Sequence, residues 1–98
     1  MLSKAKYRIL DKVEFKRFEG SVLSFEGIVT NYYTRMEQQL RVPIRLYVLT
    51  YIDESILATQ HVREDHVIKR IYRLTKEEAL THEDNWVRMA VGKRATER

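Results

Sequence analysis

The stretch IRLYVLTYIDESILATQHVR, residues 44–63, decides the fold. Apolar side chains recur at every second position in both of its halves, which is the pattern of a β-strand. Residues 44–52 divide between two faces, with Ile44, Leu46, Val48 and Ile52 on one and Arg45, Tyr47, Leu49 and Tyr51 on the other. The polar triplet at residues 53–55 separates the halves. We therefore predict two antiparallel strands joined by a tight turn, although this turn lacks glycine.

Three further strands extend the pattern on both sides. Residues 4–16 alternate between apolar and charged side chains, which predicts one long bent strand or two short ones. Gly20 then marks a turn, and residues 22–34 form a strand in which Gly27 indicates a bulge or a sharp bend. Residues 67–74 supply a last short strand.

The spacing becomes helical after residue 74. Thr75 and Glu78 have the spacing of a capping box, and the apolar residues that follow predict a helix over residues 75–92. Gly92 is the expected C-cap, residues 93–98 are the expected frayed tail, and a second box at residues 81–84 could restart the helix after a break.

These elements predict one domain, residues 1–98, of the mainly β class. Consecutive strands followed by a helix favour a small antiparallel five-stranded barrel, or a strongly bent sheet, over residues 4–74. The helix would cover an open end or edge, with Trp86 as its plug. Large rings bury the most area per residue, so the expected core anchors are Phe15, Phe18, Phe25 and Trp86.

Four segments carry a resemblance to a known class of domain. They are DKVEF at residues 11–15, EGIVT at residues 26–30, YVLTYIDES at residues 47–55 and ATQHVREDHVIKRI at residues 58–71. Over residues 7–73 their order resembles the small five-stranded barrels of the Tudor and KOW type. The resemblance implies a non-catalytic module that binds nucleic acid or protein. For Tudor-like members it also implies an aromatic cage, with Tyr47, Tyr51, Tyr32 and Tyr33 as candidates, although the Tyr-Gly-Asn turn of Tudor domains is replaced here by Ile52-Asp53-Glu54.

The composition excludes several classes of function. The 98 residues include no Cys, which removes disulfides, thiolate zinc sites, cysteine nucleophiles and iron–sulfur clusters. The three Gly residues are isolated and no Ser has a nucleophile-elbow context. The spacing of His61 and His66 matches no usual pair of metal ligands. We therefore predict a protein with no catalytic residues, no metal and no cofactor.

The sequence also bears on membrane association and on cellular location. No apolar run approaches the roughly 20 residues that span a bilayer. Lys4, Lys6 and Arg8 lie near the start with no apolar stretch after them, which argues against a signal peptide. We expect a cytoplasmic protein without a membrane partner.

The net charge of +4 is concentrated in two segments. Residues 1–17 hold six Lys or Arg and two acidic residues, and residues 61–74 hold four and two. If the first and last strands are neighbours, these cations form one patch that can neutralise several phosphates. The candidate nucleic-acid-binding residues are Lys4, Lys6, Arg8, Lys69, Arg70 and Arg73, and the candidate stacking residues are Tyr7, Tyr32, Tyr33 and Tyr72. The alternative is a solvated face that prevents edge-to-edge aggregation.

A second hypothesis is a protein–protein interaction module, either an adaptor or a small inhibitor of the kind that mobile elements encode. Residues 36–42 either fold onto the core or protrude as a contact surface, and Trp86 is either a core residue or an exposed hot spot. The candidate contacts are Met36, Leu40 and Trp86. The leading hypothesis remains a binding module whose partner is nucleic acid, DNA or RNA, or a protein of a nucleic-acid complex. The sequence indicates no oligomeric state.

Overall fold

Five antiparallel strands form a single sheet in the computed structural model, which describes residues 2–96 of the chain. They are β1 (Asp11–Phe15), β2 (Phe25–Glu37), β3 (Val42–Asp53), β4 (Ile56–Arg63) and β5 (Val67–Arg73). Their order is β4-β3-β2-β1-β5, so within the described residues β4 and β5 are edges and the sheet is not closed. A 3-10 turn, Glu64–His66, joins β4 to β5, and two helices follow, α1 (Lys76–Leu80) and α2 (Asn85–Thr96). The predicted fold class is confirmed as an antiparallel five-stranded sheet with C-terminal helical structure.

β3 and β4 form the hairpin that residues 44–63 predict. Their register runs from Leu46 opposite Arg63 to Asp53 opposite Ile56, which leaves Glu54 and Ser55 as a two-residue loop. Both loop residues have positive φ angles, 50° and 70°. Two successive positive φ angles match the twist of the flanking strands, so this turn forms even though it lacks glycine.

The inner face of the sheet holds the main core. Phe15 and Tyr51 meet edge to face with ring centroids 5.2 Å apart. Tyr47 and Tyr51 are 0% and 2% exposed, so these two rings do not line an open aromatic cage. The buried residues of this inner core are Val13, Phe15, Val29, Tyr47, Leu49, Tyr51, Val62 and Val67.

The helices pack on the opposite, outer face of the sheet and create a second core there. Its buried residues are Ile28, Leu74, Ala79, Val87 and Val91. Trp86 is half-buried and packs against this cluster. The prediction that Trp86 plugs an open end of a barrel is therefore wrong, because the helices cover a face of the sheet.

The helical region consists of two helices, with the break at residues 81–84, where a second box could restart the helix. Thr75 Oγ1 accepts a hydrogen bond from Glu78 N, and Glu78 Oε1 accepts one from Thr75 N, which confirms the capping box. α1 ends at Leu80, where Glu77 O accepts hydrogen bonds from both the amide and the hydroxyl of Thr81. α2 continues through Gly92 to Thr96, so the predicted helix end at Gly92 is wrong. Of the predicted tail, residues 97 and 98 lie outside the described residues.

Replacement of Gly92 by Ala should stabilise the protein. Gly92 lies inside α2, and a Cβ at this position would meet nothing within 4 Å. Alanine loses less backbone entropy than glycine in a helix, so the free energy of unfolding should rise by about 0.5–1 kcal/mol. Urea denaturation of the two chains measures the difference, and a lower midpoint for Gly92→Ala would contradict the prediction.

The first strand is shorter than the alternation of residues 4–16 predicts. β1 begins only at Asp11, and residues 2–10 form no strand. Phe15 at the end of β1 is fully buried, whereas Phe18 is 62% exposed. Phe18 is therefore not a core anchor, because it lies in the loop beyond β1.

The bulge of β2 does not lie at its glycine. The extra residue is Thr30, between the pairs Val29–Leu49 and Asn31–Val48, and not the predicted Gly27. Gly27 instead allows the backbone of β2 to lie close to Thr50 of β3 and to the ring of Phe15. A Cβ there would lie 3.0 Å from the backbone oxygen of Thr50 and 3.1 Å from Cε1 of Phe15.

Candidate nucleic-acid interface

Residues 2–10, called here the N-terminal segment, connect the two sides of the sheet. Near its start, Arg45 Nη2 of β3 donates to Ser3 O at 2.7 Å, and Lys6 N donates to Glu64 Oε2 at 3.4 Å. At its end, Leu10 N donates to Val29 O at 2.8 Å and Leu74 N donates to Leu10 O at 3.2 Å. The segment thus runs from the 3-10 turn before β5 to the end of β5.

The N-terminal segment keeps the alternation that the sequence shows, although it is not a strand. Its cations Lys4, Lys6 and Arg8 are exposed, whereas Ala5, Tyr7 and Ile9 between them are half-buried. Among the described residues, no carboxylate lies within ion-pairing distance of these three cationic groups. The segment therefore presents three positive charges to solvent from one side.

β5 contributes two more exposed cations, Lys69 and Arg70, which likewise have no ion-pair partner in the part of the chain that the structure describes. Arg73 differs from them. Its Nε lies 2.7 Å from Oδ1 of Asp11, and this carboxylate is fully buried and also accepts from Arg8 N. The hydrogen bond to Asp11 raises the pKa of Arg73. Arg73 is therefore an internal ion-pair partner that also holds the end of the N-terminal segment.

Glu64 holds the other end of the N-terminal segment. Its Oε2 accepts from Tyr47 Oη at 2.5 Å and from Arg45 Nη1 at 3.2 Å, in addition to Lys6 N. Burial and the hydrogen bond to Glu64 raise the pKa of Tyr47 to about 12. We call Glu64, Arg45, Tyr47 and the Lys6 amide the Glu64 cluster. Its members are far apart in the chain, so no local sequence pattern indicates it. The one signal in the sequence is Arg45, the single cation of β3.

The four candidate stacking tyrosines differ in their accessibility. Tyr7 is half-buried and meets Tyr47 edge to face at 5.5 Å, and Tyr72 is half-buried beneath Lys12 Nζ at 5.4 Å from the ring centroid. Tyr33 is 36% exposed, and its hydroxyl lies 2.8 Å from Nδ1 of His61. Tyr32 is the most exposed of the four at 41%.

Residues 34–45 form a two-stranded extension, called here the hairpin arm. β1 pairs with β2 only as far as Ile28, and β4 pairs with β3 only from Leu46, so neither flanks the arm. Met36 and Leu40 on it are 59% and 69% exposed. Of the two alternatives for residues 36–42, the structure therefore has the protruding one, because the strands that could cover them are too short.

A shallow cleft of about 200 Å³ lies between the N-terminal segment and the base of the hairpin arm. Arg45 in its wall is only 9% exposed, and the Nε of this guanidinium is buried without a hydrogen-bond partner among the described residues. The cleft is lined by Leu2, Lys6, Pro43, Ile44, Arg45, Arg63, Glu64 and Asp65. Cationic side chains therefore lie on both sides of it.

Comparisons of this chain with known protein families, with curated proteins and with solved structures give no significant match. In the described part of the chain, no helix is both long and apolar enough to cross a membrane. No group of three His, Asp or Glu side chains in that part is arranged to hold a metal ion.

Proposed function

We propose that the chain is a non-catalytic binding module that contacts nucleic acid, or a protein complex carrying it, through its basic surface. The basic surface consists of Lys4, Lys6, Arg8, Lys69 and Arg70, with Arg73 at its margin. One observation supports the proposal most strongly, which is that the first five cations are exposed and have no ion pair among the described residues. Cations left free in the folded state are available to phosphates.

The bonds of the N-terminal segment on either side of β5 also support this proposal. Lys6 N donates to Glu64 before β5, and Leu74 N after β5 donates to Leu10 O. The register places Arg70 opposite Val13 on the inner side of the sheet, whereas Lys69 lies opposite Glu14 on the other side. Phosphate contacts of this kind position a nucleic acid without reading its sequence. The proposal therefore predicts weak sequence preference and a strong dependence of affinity on salt.

The resemblance to Tudor and KOW barrels forms part of the same proposal. The order that it implies is an opening strand, a glycine-containing second strand, an aromatic third strand ending at an acidic turn, and two further strands. β1 to β5 have this order, with Gly27 in β2 and Tyr47 and Tyr51 in β3. Such modules bind without catalysis, which agrees with the proposed class of function.

Charge reversal on the basic surface tests the proposal. The substitutions Lys4→Glu, Lys6→Glu, Lys69→Glu and Arg70→Glu, made together, should weaken binding to DNA and RNA more than 100-fold, because up to four phosphate contacts are lost and replaced by repulsion. Arg73 is left unchanged because Asp11 needs it. Fluorescence anisotropy with labelled oligonucleotides at several salt concentrations measures the affinity and its salt dependence.

A matched control separates location from net charge. Lys16, Arg35, Arg41 and Lys76 are also exposed and have no ion pair in the described residues. Their replacement by Glu changes the net charge equally, and should weaken binding much less. Unchanged affinity of the first variant, with circular dichroism showing an intact fold, would rule out the proposed basic surface.

The second candidate function is a protein–protein interaction module, and the exposed hairpin arm favours it. Met36 and Leu40 present apolar surface at the tip, whereas Trp86 is half-buried against the outer core and offers less. A pull-down with and without nuclease discriminates the two functions. A partner that survives nuclease and is lost with Met36→Ser and Leu40→Ser supports protein binding, whereas a partner lost on nuclease treatment supports the basic surface.

A further inference from the structure

We propose that the ligand of the basic surface is single-stranded nucleic acid, with an unpaired base stacked on the ring of Tyr32. This inference rests on the proposed function and names its class of ligand. It is carried by the placement of one exposed aromatic ring beside the N-terminal segment. The sequence alone could not select this ring, since Tyr32 and Tyr33 are adjacent.

The bulge at Thr30 decides which tyrosine faces the inner side of the sheet. Side chains alternate along a strand, so Val29 and Tyr33 would share a face if the pairing were regular. The extra residue shifts the alternation by one, and Tyr32 pairs with Tyr47 on the inner side. Thr30 Oγ1 donates to Val48 O at 3.2 Å, which fixes the bulge. Bulges commonly redirect a side chain in this way.

Tyr32 is connected to the N-terminal segment through two aromatic contacts. Its ring centroid lies 5.9 Å from that of Tyr47, and the Tyr47 centroid lies 5.5 Å from that of Tyr7. Tyr7 stands between the exposed cations Lys6 and Arg8. The Glu64 hydrogen bond holds the Tyr47 ring in place between the other two. Tyr32 and Tyr7 thus pack against the same buried ring, which brings the exposed Tyr32 close to the segment that carries the free cations.

The other tyrosines do not offer the same arrangement. Tyr33 lies on the outer side, where its ring meets His61 at a centroid distance of 5.6 Å. Tyr7 and Tyr72 are half-buried by neighbouring side chains. Tyr32 is therefore the ring on which a base can stack while its neighbouring phosphates reach the N-terminal segment.

An exposed ring beside free cations fits an unpaired strand better than a duplex. In a duplex the bases are stacked on each other and present only their edges, whereas a single strand can turn a base onto an aromatic side chain. Stacking of this kind contributes about 1–3 kcal/mol per base, and it accepts any base because each has a π-face. The expected preference is thus for unpaired over paired nucleic acid with little discrimination among bases.

The test compares Tyr32→Ala with Tyr33→Ala, on a 12-nucleotide thymidine strand, a 12-nucleotide uridine strand and a 12-base-pair DNA duplex. Tyr32→Ala should weaken single-strand binding about 5- to 150-fold, which corresponds to one lost stacking contact. The salt dependence should stay unchanged because no phosphate contact is lost. Tyr33→Ala should leave the affinity unchanged, and the wild-type chain should bind the duplex more weakly than either strand.

Two further variants keep the test decisive if Tyr32→Ala perturbs the fold. Tyr32→Phe should retain binding because it keeps the aromatic face, and Tyr32→Leu should lose it because leucine packs on Tyr47 without that face. Equal single-strand affinity for Tyr32→Leu and wild type, or tighter binding of the duplex, would overturn this inference. If charge reversal still abolishes binding in that case, the proposed function stands. If the wild-type chain binds no strand and no duplex, both fail.

Discussion

A chain with valine at position 27 should be at least about 3 kcal/mol less stable than the wild type. Gly27 lies in β2 opposite Val13, and a Cβ there would be 3.0 Å from Thr50 O and 3.1 Å from Cε1 of Phe15. The first neighbour is backbone and the second is a fully buried ring, so neither can move away cheaply. Overpacking of a core typically costs 1–3 kcal/mol, and the two extra methyl groups of valine add to the clash of the Cβ.

Urea denaturation followed by circular dichroism measures this loss. The free energy of unfolding of a domain of this length is about 5–15 kcal/mol in total. The variant should therefore unfold at a much lower urea concentration than the wild type. Gly92→Ala serves as a contrast, because a Cβ at position 92 meets no atom of the described residues within 4 Å and should raise the midpoint instead. A Gly27→Val midpoint within error of the wild type would contradict the close packing of Gly27 against Thr50 and Phe15.

Removal of the Glu64 carboxylate should destabilise the chain by about 3 kcal/mol and release the start of the N-terminal segment. Three donors converge on Oε2 of Glu64, from Tyr47, Arg45 and the Lys6 amide. Arg45 is 9% exposed, so Glu64→Ala leaves its guanidinium buried without a counter-charge, and leaves the Tyr47 hydroxyl without an acceptor. Breaking one partner of a buried pair is costly for this reason.

Hydrogen exchange distinguishes this release from a general loss of stability. In Glu64→Ala the amides of Lys6 and Tyr7 should exchange faster than those of β3, which remain in the sheet. Asp65→Ala is the matched control, since Asp65 is an exposed neighbour whose ion pairs within residues 2–96 are to Arg63 and His66 alone. Its cost should stay below about 1 kcal/mol. Equal effects of the two substitutions would contradict the role given to the Glu64 cluster.

The stability contributed by Glu64 also depends on pH. Burial raises the pKa of Glu64, but the hydrogen bonds from Tyr47, the Lys6 amide and Arg45 outweigh it, and the pKa lies below its ordinary value of 4.5. A lowered pKa means that the contribution is present above 4.5 and is lost as the pH falls through the folded-state value. Glu64→Gln should therefore make stability less sensitive to acid in that range.

Local patterns predict the central part of this fold well. The alternation in residues 44–63 predicts the β3–β4 hairpin and the position of its turn, because side-chain facing and turn chemistry are local properties. The capping box at Thr75 is predictable for the same reason, because it depends on four consecutive residues only. Residues 4–10 show the limit of the same argument. Their alternation correctly predicts which side chains are exposed. Alternating exposure does not require a β-strand, however, and this segment is held by hydrogen bonds at Lys6 and Leu10 instead of by a ladder.

The sequence predicts which charged residues of the candidate site are exposed, but it does not predict the contacts between its distant residues. The exposure of Lys4, Lys6, Arg8, Lys69 and Arg70 follows from alternation and composition. The pairing of Arg73 with the buried Asp11 joins residues 62 positions apart, and no local pattern indicates it. Local patterns also do not decide whether Tyr32 or Tyr33 faces the inner side of the sheet. A single extra residue in β2 reverses their faces, and the sequence pattern places this bulge at Gly27 and not at Thr30.

The bulge at Thr30 gives β2 one residue more than β3 has over the same length. Thr30 lies between the pairs Val29–Leu49 and Asn31–Val48, and the pairs on both sides of it follow the regular alternation of β3. Deletion of Thr30 would therefore close the ladder and leave Tyr32 opposite Tyr47 and Tyr33 opposite Leu46. A regular ladder that kept Thr30 would instead exchange the faces of these two tyrosines. The faces of the hairpin arm are thus set by β3, and β2 conforms to them by leaving one residue unpaired.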